Sequence, residues 1–398
     1  MKLLKKKLKN GITLIMEKRD VDVVSLSITN RFGAAFEESK IKGVAHVIEH
    51  LLFTGTKTRT HEDISREIEK KGGVLNAFTS HEVTSFWFKL PSEHLFAGLD
   101  ILTDMLNNPK FDLEKFEKEK KVILEEIKMY HDAPQRYVFD LIEKNLYEKP
   151  FGELVIGSSE TVSALKRDFV ADLFKNSYNP GNYIVTIVGN ADFDKICKYF
   201  EENYKPRKIN LKENKIIKKN SEYVEERNDL DQAHFVFAVH APLPTDDKYY
   251  VLEVLDAYLA SGMSSRLFLE IREKRGLAYS VNSSINSEKS YSYYTIYAGT
   301  KKSAVSEVKK IILEEFGKID EMNEKNLEEA KQRVIGLRKV SSEESSGVMN
   351  QLMFSELADK AESYYEHDEK IRKVKLEDVK KMAVEIAKKY STVAIVPK

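Results

Sequence analysis

"GVAHVIEHLLFTGT", residues 43–56, sets two histidines and a glutamate inside five positions of an otherwise apolar stretch, where charge is normally avoided. On a helix, positions four apart share a face with β-carbons about 5–6 Å apart, so His46 and His50 reach one ion. Glu49 stands on the same side. Val47, Ile48, Leu51, Leu52 and Phe53 are apolar where a core would use them. Zinc in hydrolases takes three protein ligands, often two His and one Glu, and keeps a fourth position for a water whose pKa falls to about 7. Glu49 then suits the base that takes the water's proton. With 9 His in 398 residues, a His-x-x-Glu-His string arises by chance about 0.02 times per chain.

The third ligand is sought in "FEKEKKVILEEIKMYHDAP", residues 116–134. Glu119 and Glu126 lie two turns apart on one helix face, with Val122, Ile123 and Ile127 marking the buried flank. Glu125 is adjacent, and periodicity alone does not choose between it and Glu126.

Composition bounds the rest. The chain has 64 basic and 64 acidic residues and a formal net charge of zero, so the overall field points to neither nucleic acid nor an anionic membrane. No apolar run approaches the roughly 18 residues that cross a bilayer, and a soluble protein is expected. The start, "MKLLKKKLKNGITLIMEKRD", has too short an apolar stretch for a signal peptide and no small-residue cleavage site. A single cysteine, Cys197, excludes an internal disulfide and agrees with a reducing compartment, so cytoplasm is the expected location.

The order of elements repeats. Asn10-Gly11 marks a hairpin, "VVSLSITNRFG" continues the strands, and helices are expected near 43–52 and 60–71, the latter ending at Gly72-Gly73. "VLNAFTSHEVTSFWFKL" reads as a strand pair, followed by helices near 92–107, 112–131 and 134–147, the strand "NYIVTIVGN" and the helix "DFDKICKYFEEN". After a basic linker the pattern returns: the strand "AHFVFAVHAPL", helices near 247–260 and 264–274, the strand pair "AYSVNSSINSEKSYSYYTIYAGT", helices near 302–317, 323–340, 344–359 and 374–389, and the strand "TVAIVP". The spacing predicts an α+β protein of two similar domains, 1–205 and 221–398, joined by a linker at 206–220.

These segments resemble the inverted-zincin metallopeptidases that include pitrilysin, insulin-degrading enzyme and the mitochondrial processing peptidase β subunit, with His-x-x-Glu-His as their signature. The likeness spans nearly the whole chain, through "GVAHVIEHLLFTGT", "IEKKGGVLNAFTSHEVTSF", "EKEKKVILEEIKMYHDAP" and "SGMSSRLFLEIREKRGLAYSV". It implies one Zn2+ per chain held by His46, His50 and Glu126, in preference to Glu125. It implies Glu49 as general base and Glu119 as a supporting or catalytic carboxylate. It further implies that Asn76 and Ala77 sit on an edge strand that pairs with the substrate backbone, and that Arg272 and Tyr279 reach the substrate carbonyl. His81 matches no ligand position. Because large family members resemble two such chains in tandem, a half-size chain implies a homodimer around a closed chamber, each zinc served by Arg272 and Tyr279 of the other protomer. The implied activity is endoproteolysis of oligopeptides or unfolded polypeptides, without nucleic acid or membrane. The rival expectation is a non-catalytic scaffold or partner subunit.

Overall fold

In a computed structural model the chain is described at residues 2–206, 211–212, 214–228 and 230–398. Residues 207–210 and 213 of the expected linker fall outside that set.

Two sheets organise the protein. The first contains β1 (Lys2–Lys7), β2 (Thr13–Lys18), β3 (Val23–Asn30), β4 (Val74–Thr79), β5 (Thr84–Pro91) and β6 (Tyr183–Gly189), in the order β1-β2-β6-β3-β5-β4. The second contains β7 (Glu222–Arg227), β8 (Ala233–His240), β9 (Ala278–Ser287), β10 (Ser292–Thr300) and β11 (Ser391–Pro397), in the order β7-β11-β8-β10-β9. In each sheet one pair is parallel, β2 with β6 and β7 with β11, and the remaining neighbours are antiparallel. With β1 set aside, the two orders correspond strand for strand. The expected α+β architecture of two similar, mixed-sheet domains is what the chain adopts.

β6 is buried along its whole length, because both of its faces are covered. Ile184 and Val188 point to one face, where they join Ile15 and Val83 under Val348, Met349, Leu352 and Met353 of the helix Ser345–Ala358. Their chain neighbours alternate to the other face. That covering helix comes from the distal end of the chain. Reciprocally, the helix Pro134–Leu146 packs on β8 and β11 of the second sheet.

The compact units are therefore not contiguous. One comprises residues 1–128, 153–215 and 341–364, and the other 129–152, 216–340 and 365–398. Residues 129–152 and 341–364 thus depart from the expected boundaries. Apolar burial overrides chain order here, since a two-sided sheet needs a helix on each face.

Several elements carry little sequence signal. β7 reads "EYVEER" and is exposed along most of its length, as a charged edge strand should be. The helices Ser159–Ala164, Arg167–Ser177 and Ser363–Lys373 were not expected from the pattern. The segment expected as an α-helix at 264–274 holds a π-helical stretch, Phe268–Glu273, a geometry that recurs at functional sites. No helix among the described residues is long and apolar enough to cross a membrane.

Candidate metal centre

The helix Val44–Leu52 buries Val44, Ala45, Val47, Ile48, Leu51 and Leu52, leaving His46, Glu49 and His50 on its partly covered face. Its start is held from outside the helix. Gly43 sits at φ +94°, and a β-carbon there would meet the Ile156 carbonyl at 2.5 Å, so only glycine fits. The Glu37 carboxylate, fully buried, accepts hydrogen bonds from the Gly43 N–H at 2.9 Å and the Ala45 N–H at 2.6 Å. Burial raises its pKa, opposed by the neighbouring Lys42 ammonium and those two N–H groups. A negative charge at a helix N-terminus is stabilising. Glu37→Ala is expected to lower the unfolding free energy by about 3 kcal/mol, read by urea denaturation; a loss within about 0.5 kcal/mol, typical of a surface change, would rule out this anchoring role.

The helix Leu113–His131 supplies the acidic partners. His46, His50 and Glu126 bring one ligand atom each within 4.8 Å of one another, the one such group of three among the described residues. Glu126 Oε2 lies 3.9 Å from His46 Nε2 and 3.5 Å from His50 Nε2. Ligands on a tetrahedral zinc with bonds of about 2.0–2.1 Å stand about 3.3–3.4 Å apart, so these residues fit the ion. The alternative Glu125 points elsewhere, pairing with Lys128 at 2.8 Å on an exposed surface.

Glu119 Oε2 lies 3.2 Å from His50 Nδ1, which turns the ring so that Nε2 faces Glu126. Carboxylates that orient ligating imidazoles are common around metals. His46 Nδ1 has no such partner. Burial opposes a proton on His50, yet Glu119, Glu126 and Glu49 outweigh it and push its pKa up to about 9. Burial and the neighbouring His50 hold His46 down to about 4. Two imidazoles ringed by three carboxylates form an electrostatic environment that a cation satisfies.

Glu49 accepts a hydrogen bond from the Thr79 hydroxyl at 2.5 Å. Burial raises its pKa, and the Thr79 hydrogen bond opposes the rise. Glu49, His50 and Glu119 line a cleft of about 340 Å³ that also includes Phe53, His61 and Asn76. β4, which carries Asn76 and Ala77, is the free edge of its sheet, and the Ala77 N–H is capped by the Asn76 side-chain oxygen at 2.8 Å. Phe78 does not line this cleft; it packs on Phe354. His81 is buried in the turn between β4 and β5, its carbonyl accepting from the Ala35 N–H.

Arg272 and Tyr279 belong to the other compact unit. The Arg272 guanidinium lies over the Tyr279 ring at 5.2 Å and over Phe268 at 4.8 Å. Tyr279 is 79 % exposed at the start of edge strand β9, an aromatic that contributes little to the core.

Glu37 and Thr79 were not singled out in the sequence. Glu37 lies six residues before Gly43, outside the local spacing of a capping box, and Thr79 meets Glu49 only through tertiary packing.

A duplicated α+β frame thus carries two histidines and a carboxylate within reach of one ion. The family described as insulinase, peptidase family M16, matches residues 13–158, and its companion described as peptidase M16 inactive domain matches residues 164–334. An uncharacterised zinc protease of Bacillus subtilis is 32 % identical over 347 residues, covering 86 % of this chain and 85 % of its own. One from Rickettsia felis is 33 % identical over 333 residues, covering 82 % and 80 %. Among solved structures, a protease from Helicobacter pylori matches with a TM-score of 0.92 at 21 % identity, covering 100 % of this chain and 99 % of that one. The chain belongs to the M16, or insulinase, family of peptidases.

Proposed function

We propose that the protein is a zinc-dependent endopeptidase acting on oligopeptides and unfolded segments. The observation that carries this reading is the convergence of His46, His50 and Glu126 within 4.8 Å beside a Glu49 carboxylate that opens on the same cleft. Zinc, held by those three residues, supplies a Lewis acid that acidifies water and polarises the scissile carbonyl. Glu49 accepts a proton from the attacking water as the new C–O bond forms, and returns it to the amide nitrogen as the C–N bond breaks. Thr79 steers the carboxylate through its hydroxyl, and Glu119 keeps the His50 ring turned. The free edge of β4 at Asn76 and Ala77 offers main-chain groups to an extended substrate once the Asn76 side-chain oxygen gives up the Ala77 N–H, which gives binding with little sequence demand.

Arg272 and Tyr279 are assigned to the substrate carbonyl, where the tyrosine hydroxyl donates to the developing oxyanion. They are assigned in trans, within a homodimer that encloses a chamber and has two equivalent sites. The single, buried Cys197 agrees with work in the cytoplasm.

The description of the second matched region as inactive favours a rival reading as a non-catalytic subunit, although the metal residues all lie in the first region. Metal analysis and peptide hydrolysis decide between them. About one zinc per chain is expected, with cleavage of an unstructured peptide abolished by chelation and restored by added zinc. Substoichiometric zinc, or cleavage indifferent to chelator, counts against the peptidase reading.

A further inference from the structure

The helix face that carries Glu126 and Glu119 continues toward its N-terminus. Four residues before Glu119, one turn and about 6 Å along the axis, stands Lys115; Lys118 adjoins it, and both ammonium-bearing side chains line the same cleft as Glu49 and His50. Neither is tied to a carboxylate among the described residues. On the same helix Lys120 lies 3.5 Å from Glu117 and donates to the Ser163 and Leu165 carbonyls, and Lys128 lies 2.8 Å from Glu125. The carboxylates that share the cleft are engaged elsewhere: Glu119 with His50 and Glu49 with Thr79. The wall next to the two lysines is made by Phe53 and His61, whose ring Nδ1 lies 3.0 Å from the Phe53 carbonyl oxygen.

An extended peptide advances about 3.3 Å per residue. A chain reacting beside Glu49 therefore passes the lysines within about three residues of its scissile bond, where a carboxylate on the substrate would meet two unpaired cations on the exposed rim of the cleft.

We propose that Lys115 and Lys118 make this cleft selective for peptides bearing an aspartate or glutamate within about three residues of the bond to be cut. The inference rests on the peptidase reading and names its substrate class. It gives the site a sequence preference that edge-strand pairing, which reads only main chain, does not supply.

The test uses the full chain as its zinc-loaded Glu49→Gln form, so that binding is read without turnover. Fluorescein-labelled peptide pairs differing only by Glu or Gln, scanned one position at a time, are titrated by fluorescence anisotropy. The Glu peptide is expected to bind about tenfold tighter at low salt in at least one register, with the ratio shrinking as ionic strength rises. In the same background, Lys115→Ala with Lys118→Ala brings the ratio to about one, Lys115→Arg with Lys118→Arg retains it, and Lys195→Ala, an exposed lysine on another helix, leaves it in place. Zinc content and circular dichroism verify that each variant is folded and loaded. A ratio indistinguishable from one at every position, or a preference that survives the double alanine change, overturns the proposal. Hydrolysis of the same peptides by the parent protein reads the peptidase assignment separately. Tight, charge-selective binding without cleavage sinks that assignment alone, and cleavage without charge preference sinks only the selectivity.

Discussion

Glu49→Gln protein is expected to bind zinc and keep its fold while its kcat for peptide hydrolysis falls by about 10³-fold, within the range that a general base contributes. Glutamine preserves the size of the side chain and an oxygen that accepts from Thr79, 2.5 Å away in the parent, so the helix Val44–Leu52 has no reason to rearrange. What is lost is the ability to take a proton from water and give it to the leaving nitrogen. The measurement is steady-state hydrolysis by zinc-loaded enzyme, beside metal content and thermal unfolding. Activity within tenfold of the parent would remove Glu49 from the mechanism. A loss of zinc together with activity would instead make it part of the metal's support.

The second large effect comes from mixing two inactive proteins. Glu49→Gln carries an intact Arg272 and Tyr279; the Arg272→Ala, Tyr279→Ala protein carries an intact Glu49. If each zinc is completed by the other protomer, a mixed dimer has one wholly intact site and one doubly defective site. Random exchange makes half of the dimers mixed, so about one quarter of the parent activity returns in a two-fold symmetric assembly. If the residues serve their own chain's zinc, every site in the mixture stays defective and nothing returns. Native mass spectrometry of a mixture in which one of the two proteins is isotopically labelled shows whether exchange took place, so a silent mixture of exchanged dimers rejects the trans arrangement.

The legible part of the site was its local part. His46, Glu49 and His50 are fixed by the period of one helix, so spacing alone named them, and the two-turn step from Glu119 to Glu126 located the acidic helix. Preferring Glu126 to Glu125 needed the family resemblance; in the structure Glu125 turns out to Lys128 while Glu126 turns in to both histidines. Glu37 and Thr79 act on residues distant in sequence, and no periodicity relates them to the helix they serve. The same divide holds for the fold. The strands of apolar alternation were readable, whereas β7, whose charges suit an edge, was silent. The reciprocal exchange of the helices Pro134–Leu146 and Ser345–Ala358 left no mark in the linear pattern, because an apolar helix face does not state which sheet it will cover.

That exchange has a bearing on how the protein is made. All six strands of the first sheet have been synthesised once Gly189 leaves the ribosome, yet the helix that covers Ile184 and Val188 begins only at Ser345. At 5–20 residues per second the nascent chain carries an uncovered apolar sheet face for about 8–30 s. Chaperone engagement during that interval, and aggregation of any product that stops short of residue 364, follow from the order in which the chain emerges, although neither leaves a trace in the finished fold.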